Sequence, residues 1–409
     1  MSQARLKYVV AMVLALSVGG AAQGATDAPP ARTPDIARSI NAFAADMYAQ
    51  ARGKEGNVFF SPYSISAALA MTYAGARGET ADQMAKVLRF REDWRSDPGA
   101  VHDLYALLQR SLDGQGKPYE LAVANRLWGQ KGFGFMPEFL DLLQRKYGAG
   151  LEEVDFRSNA EGARQTINNW VESKTAQKVK ELIGPGVLGN RETLLVLTNA
   201  IYFKGAWQYP FDKQRTADGD FFVSAGQKVA VPMMRQTRRF RHADAGDLQV
   251  LEMDYKGDAL SMVVLLPKKA DGLAPLEQSL AQGKLDEYVL GLKAAEVDLL
   301  LPRFKMEWKA ELQEPLGKMG MPLAFSGADF SGMTGRKGDI CISKVIHKAF
   351  VDVNEEGTEA AAATAVIMGR GMPAQPIVFR ADHPFIFLIR DKASGCILFL
   401  GRVANPKGE

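Results

Sequence analysis

Covalent or acid–base chemistry needs a nucleophile, a proton carrier or a metal, so the histidines and cysteines are placed first. The chain has four histidines and two cysteines in 409 residues. His102, His242, His347 and His383 are scattered singly. A lone histidine of that kind is more often a satisfied structural residue than a base. No Gly-x-Ser-x-Gly elbow, His-Glu-x-x-His pair, Walker loop or Gly-x-Gly-x-x-Gly is present. The material for a zinc site is lacking, and neither a metal nor a cofactor is implied. The only enzymatic reading left is a hydrolase assembled from scattered residues. Arg235–His242 holds four arginines but a single aromatic and is flanked by acids. It reads as a solvated hairpin tip rather than a polyanion site.

The segment that does suggest chemistry is Val351–Val366, Val-Asp-Val-Asn-Glu-Glu-Gly-Thr-Glu-Ala-Ala-Ala-Ala-Thr-Ala-Val. Alanine and glutamate favour helix, yet the segment follows a strand pattern and is broken from it by Gly357. With a period of two, Thr358, Ala360, Ala362, Thr364, Val366 and Met368 share one face, all uncharged. The other face carries Glu359, which fits a strand with one face on a core and one in water. The segment is strand-compatible by pattern, helix- or loop-compatible by propensity, and hinged at a glycine. It is a candidate bistable element.

The elements around it run from helical to extended. Ile36–Gln50, Tyr63–Ala74, Thr80–Leu88 and Val101–Leu112 show apolar residues at helical spacing. From about residue 119 the texture becomes β-branched and aromatic. Leu194–Phe203, Leu248–Met253, Leu260–Leu266, Val297–Leu301, Ile342–Val353 and Ile386–Arg390 are predicted strands, and Ala163–Ile183 is a helical island among them. Helices first and strands later, without βαβ alternation, argue for an α+β fold in one domain over 36–409.

Composition bounds the partners. Hydrophobic residues make up 47% and charged residues 24%, the balance of a soluble globular chain. Lys+Arg 50 against Asp+Glu 47 leaves +3, too little to draw the protein to nucleic acid. Arg5 and Lys7, an apolar Tyr8–Val18 and a small-residue site at Ala22-Gln23-Gly24 read as a signal peptide over 1–24. Residues 25–35 read as a disordered leader. The mature chain is then secreted or periplasmic, with no membrane span. Export opens the option of a Cys341–Cys396 disulfide, but two free thiols is the preferred reading.

Asn354-Glu-Glu-Gly-Thr-Glu-Ala-Ala-Ala-Ala-Thr364 resembles the reactive-loop hinge of the serpin family in its inhibitory form. Further similar blocks are Asn57–Ser66, Asn199–Trp207, Leu301–Lys305, Ala328–Met333, His347–Phe350, Asp382–Phe385 and Gly401–Pro406. Their order and spread cover nearly all of the mature chain. The resemblance implies a serpin fold with three β-sheets, eight to nine helices and an exposed reactive-centre loop over about 355–376. It implies a monomeric suicide substrate of a target serine protease, with cysteine proteases as further candidates. The cleaved loop enters the main sheet before the acyl-enzyme is hydrolysed. About fourteen residues at roughly 3.4 Å give close to 48 Å of new strand.

Residue by residue, the resemblance makes Glu355, Glu356, Gly357, Thr358, Glu359, Ala360, Ala361, Ala362, Ala363 and Thr364 the hinge. Glu355 is its anchor, Arg303 the ion-pair partner, and Trp207 stacks nearby. Ser61, Ser64, Asn199 and His347 match a polar cluster under the middle of the sheet, where strands part. The cleaved bond follows Arg370, Gly371 or Met372, and the three stay open. A non-inhibitory serpin acting as carrier or chaperone is the alternative.

Overall fold

The computed structural model describes residues 33–188, 193–281, 283–358 and 375–408. Helix α1 (Thr33–Ala51) buries Ile36, Ile40, Phe43 and Met47 along one stripe. It begins inside the segment read as leader, with Pro34 and Asp35 suited to a first turn. After the short β1 (Val58–Phe60) comes α2 (Pro62–Tyr73), buried on every side. Ser61 caps α2 by accepting from the Ser64 amide at 3.1 Å, and Pro62 fills the first helical position. Helices α3 (Gly78–Val87), α4 (Glu92–Ser96) and α5 (Pro98–Leu112) complete the helical third.

The chain then alternates through β2 (Tyr119–Gln130), α6 (Pro137–Tyr147), β3 (Leu151–Val154), α7 (Ala160–Lys174) and β4 (Leu195–Ala206). A strand-rich stretch follows: β5 (Ala217–Ser224), β6 (Gln227–Asp244), β7 (Leu248–Asp254) and β8 (Leu260–Pro267). Next are α8 (Leu273–Ala281), α9 (Leu285–Leu290), β9 (Lys293–Pro302), β10 (Phe304–Glu311), α10 (Gln313–Met319) and α11 (Ser331–Thr334). The chain closes with β11 (Lys344–Asn354), β12 (Gly357–Thr358), β13 (Ile377–Arg380), β14 (Phe385–Asp391) and β15 (Ile397–Val403).

The fold is α+β. One sheet runs β10-β11-β12-β4-β2-β3, and the other runs β1-β15-β14-β8-β7-β6-β9-β13 with β5 on β6. The described hydrogen-bonded sheets number two rather than three because β6 is long enough to serve β5, β9 and β7 along its length. Eleven α-helical segments appear among the described residues when turns as short as α11 are counted.

Each strand read from the sequence appears, extended at its C-terminal end by one to three residues; β9 and β14 also start earlier than read, while β4 and β11 start one and two residues later. The helical island stops at Lys174, and residues 175–188 continue as an irregular crossing segment. Arg235–His242 is not a hairpin tip but the middle of β6, paired with β9 throughout. Charge did not prevent a strand there because Arg235 pairs with Asp298 and Arg241 with Glu252 across the neighbouring strands. Helix α6 went unread; Pro137 at its start and left-handed Gly148 at its end mark it in retrospect. Neither Cys341 nor Cys396 is in a disulfide, and Cys396 is buried.

Candidate functional site

The site is a seam in the six-stranded sheet. Strands β4 and β11 pair in parallel from Lys344↔Val196 to Phe350↔Tyr202. Above that, the chain turns at Glu355-Glu356 and returns as β12 between them. Thr358 lies opposite Val353 on one side and Gly205 on the other, antiparallel to both. Thus Gly357 and Thr358 form a two-residue wedge at the upper end of the seam.

Local chemistry dictates that turn. The Asn354 side chain accepts from the Glu356 amide at 3.0 Å, closing a tight turn of the kind Asn favours. Gly357 has φ +150°, and a Cβ there would collide with the Gly205 carbonyl and stand 2.7 Å from the Ala206 Cα. Glycine is required at that close approach.

Glu355 is 1% exposed. Arg303 Nε donates to both of its carboxylate oxygens at 2.7 Å, and Thr216 Oγ1 adds a bond at 2.6 Å. Burial alone would raise its pKa, yet Arg303 and Thr216 hold it below the ordinary carboxylate value. Its carbonyl accepts from the Phe211 amide at 2.8 Å. Glu356 pairs with Lys213, and its carbonyl accepts from the Trp207 amide at 2.9 Å. Trp207 Nε1 donates to the Asn354 carbonyl at 3.0 Å, while its ring stacks on Tyr255 at 4.6 Å and 16°. The turn is therefore clamped by Arg303 and Trp207 together. Thr358, with no exposure, meets the Tyr255 phenol at 2.8 Å.

Lower down, a polar cluster crosses the same seam. His347 and Asn199 are register partners, and His347 Nδ1 faces the side-chain Oδ1 of Asn199 at hydrogen-bond distance. The Ser61 amide donates to His347 Nε2 at 3.3 Å, so Nδ1 carries the proton. The Asn199 amide donates to Ser64 Oγ at 2.6 Å and to Asn125 Oδ1, and Asn125 Nδ2 reaches the Ser64 carbonyl at 3.0 Å. Ser61, Ser64, Asn199 and His347 have no exposure. Burial drives the His347 pKa down to about 3, so the ring is neutral.

The outer face of the seam is covered rather than wet. Val196, Ala200 and Tyr202 of β4 and Ile346 and Phe350 of β11 pack with α7 and with Val179, Leu182 and Ile183 of the crossing segment. Asn168 of α7 holds that segment by bonds to both the amide and the carbonyl of Ile183, each 2.9 Å. From Val196 to Tyr202 the seam has neither face in water, while at Lys204 its outer face is exposed. Hinge residues Glu359, Ala360, Ala361, Ala362, Ala363 and Thr364, and the reactive-bond candidates Arg370, Gly371 and Met372, lie outside the described residues. So do residues 1–24, read as a signal peptide, and most of 25–35, read as a leader.

A family profile described as Serpin (serine protease inhibitor) matches residues 38–406. The chain belongs to the serpin family. The leukocyte elastase inhibitor of Bos taurus is 48% identical over 360 residues, covering 86% of this chain and 93% of its own. Among solved structures, Serpin48 of Tenebrio molitor is 35% identical with a TM-score of 0.81, covering 91% of this chain and 98% of its own. Human thyroxine-binding globulin, solved in complex with thyroxine, is 33% identical with a TM-score of 0.83, covering 92% of this chain and all of its own. Membership and the leukocyte elastase inhibitor relative support protease inhibition as the general activity of this serpin.

Sequence reasoning missed Asn125, Tyr255 and Thr216. Asn125 had a weak signal, an amide that directly follows the apolar run Leu121–Ala124 in β2. Tyr255 and Thr216 had none, since only the fold brings them to the hinge. Among the described residues no cluster could hold a metal, and no helix is long and apolar enough to cross a membrane.

Proposed function

We propose that this serpin is an exported suicide-substrate inhibitor of serine proteases, or of cysteine proteases, organised as a signal peptide over 1–24 and one domain over 36–409. The target protease attacks the loop, forms an acyl-enzyme, and is carried off when the cut loop enters the sheet between β4 and β11. The chain is then consumed rather than turned over, and it works as a monomer.

One observation carries this reading: β12 already starts the inserted strand in register with both neighbours. Continuing that register puts Ala360 against Val351 and Phe203, Ala362 against Ala349 and Ile201, and Thr364 against His347 and Asn199. A hydroxyl would thus arrive at the polar cluster where insertion breaks the His347–Asn199 bond. Outward, Ala361, Ala363 and Ala365 would slide beneath α7 and the crossing segment, against a face that is already packed. Small side chains at these five alanines suit both faces. The register reaches Leu195, the start of β4, at Met368, so the strand has room for about 40 Å. That is two residues shorter than the sequence estimate, and it leaves the bonds after Arg370, Gly371 and Met372 beyond the inserted stretch.

Incubation with trypsin, chymotrypsin, elastase and subtilisin tests the reading. An SDS-stable complex is the expected product, and the mass of the released C-terminal peptide fixes the cleaved bond. Simple cleavage without complex would favour the second reading, a carrier. That reading draws on the likeness to thyroxine-binding globulin and on an apolar cavity of about 220 Å³ walled by α1, α8, α9 and β15.

A further inference from the structure

A second cleft lies immediately behind the hinge. The pairing of β6 with β7 stops at Arg241↔Glu252, and beyond that point the strands diverge. The opening is a cavity of about 190 Å³ walled by Trp207, Tyr209 and Phe240, with Arg239 and Arg241 beside them. Glu252 and Asp254 also line it, but their charges are already matched. Glu252 accepts from Arg390, Ser261 and Arg241, and Asp254 pairs with Lys392. Arg239 is exposed and forms no ion pair among the described residues, although Glu296 lies opposite it in the β6–β9 register. Arg238 already stacks on one face of the Tyr209 ring at 4.3 Å, and aromatic walls with one unpaired guanidinium are complementary to a flat ring bearing an anionic group.

We infer that this cleft binds a small aromatic carboxylate, its ring between Trp207, Tyr209 and Phe240 and its carboxylate on Arg239. The volume suits one or two fused rings; a larger ligand would not enter. The site is coupled to the hinge through Trp207, which walls the cleft and holds the Asn354 and Glu356 carbonyls. Its ring also stacks on Tyr255, the partner of Thr358. A bound ring stiffens Trp207 and thereby holds β12 in its present position. This consequence rests on the insertion reading above; the binding itself does not.

The test uses the full chain with indole-3-acetate, the neutral indole-3-acetamide as its control, and Arg239→Gln. Binding is read by isothermal calorimetry and by the shift of Tm with ligand concentration. Saturable binding of the acid is expected, with the amide and the Arg239→Gln chain each at least tenfold weaker. Equal affinity for acid and amide, an unaffected Arg239→Gln, or no saturable binding of the acid overturns the site. A protease-inhibition time course with saturating acid then reads the coupling. A severalfold slower approach to complex supports it, and an unchanged rate overturns the coupling. A chain that binds the acid but traps no protease would refute the insertion reading while the cleft stands.

Discussion

The Thr358 hydroxyl and the Tyr255 phenol meet at 2.8 Å in a site closed to water. This contact ties the first inward-facing hinge residue to the ring on which Trp207 stacks. Thr358→Arg would force an unpaired charge into that site. SDS-stable complex should fall at least tenfold while cleavage of the loop continues, as read by densitometry of a gel time course. Undiminished complex would contradict the hinge assignment.

Gly357→Ala probes the neighbouring position by shape alone. Its Cβ has no room against Gly205 and Ala206, so the wedge should leave the sheet rather than distort it. Hydrogen exchange should then show fast exchange of the Thr358 amide, with protection at Asn199 and His347 retained.

Arg303→Ala leaves the Glu355 carboxylate buried with Thr216 as its remaining side-chain partner. Such a loss costs about 3 kcal/mol at neutral pH. The folded-state pKa of Glu355 is depressed, so the pair stabilises above pH 4.5 and that contribution is lost as pH falls further. The gap in Tm between wild type and Arg303→Ala should therefore be wide at pH 7 and close toward pH 3. A gap independent of pH would mean that the ion pair is not its source.

His347 gives a second pH dependence of the same sign in a different window. Its ring is neutral in the fold with a pKa of about 3, against an ordinary value of 6.5. An unfolded chain binds the proton first, so stability is full above pH 6.5 and declines between there and pH 3. A protonated ring could no longer accept from the Ser61 amide, and the bond lost is the one that joins β11 to the start of α2. The fall in Tm between pH 6.5 and 4 should be shallower in His347→Gln. His102, depressed to about 4 by burial beside Tyr147, adds its own slope and is present in both chains.

The architecture was legible where side chains repeat with a period. Ile36, Ile40, Phe43 and Met47 mark α1, and the apolar run Leu260–Leu266 marks β8. Arg235–His242 misled because exposed charge was read as a turn, whereas it lies along the long strand β6, with Arg235 and Arg241 paired to cross-strand acids that no local pattern reveals. The hinge could be read because glycine at 357 and small residues after it are local necessities. Tyr255, Thr216 and Asn125 could not, since their roles depend on which strands become neighbours. That the helical island lies across a sheet was readable from its place among the strands, but not that α7 covers this seam, where from Val196 to Tyr202 it makes the outer face a packed one.

The most direct test of the trapped-state account is thermal unfolding before and after a single cut between Gly369 and Met372. If the present arrangement is held short of its lowest energy, the cut chain relaxes into the full sheet and its Tm rises sharply. A cut chain that melts where the intact one does would show that β12 is an ordinary part of a sheet already at its lowest energy, and that no insertion drives inhibition.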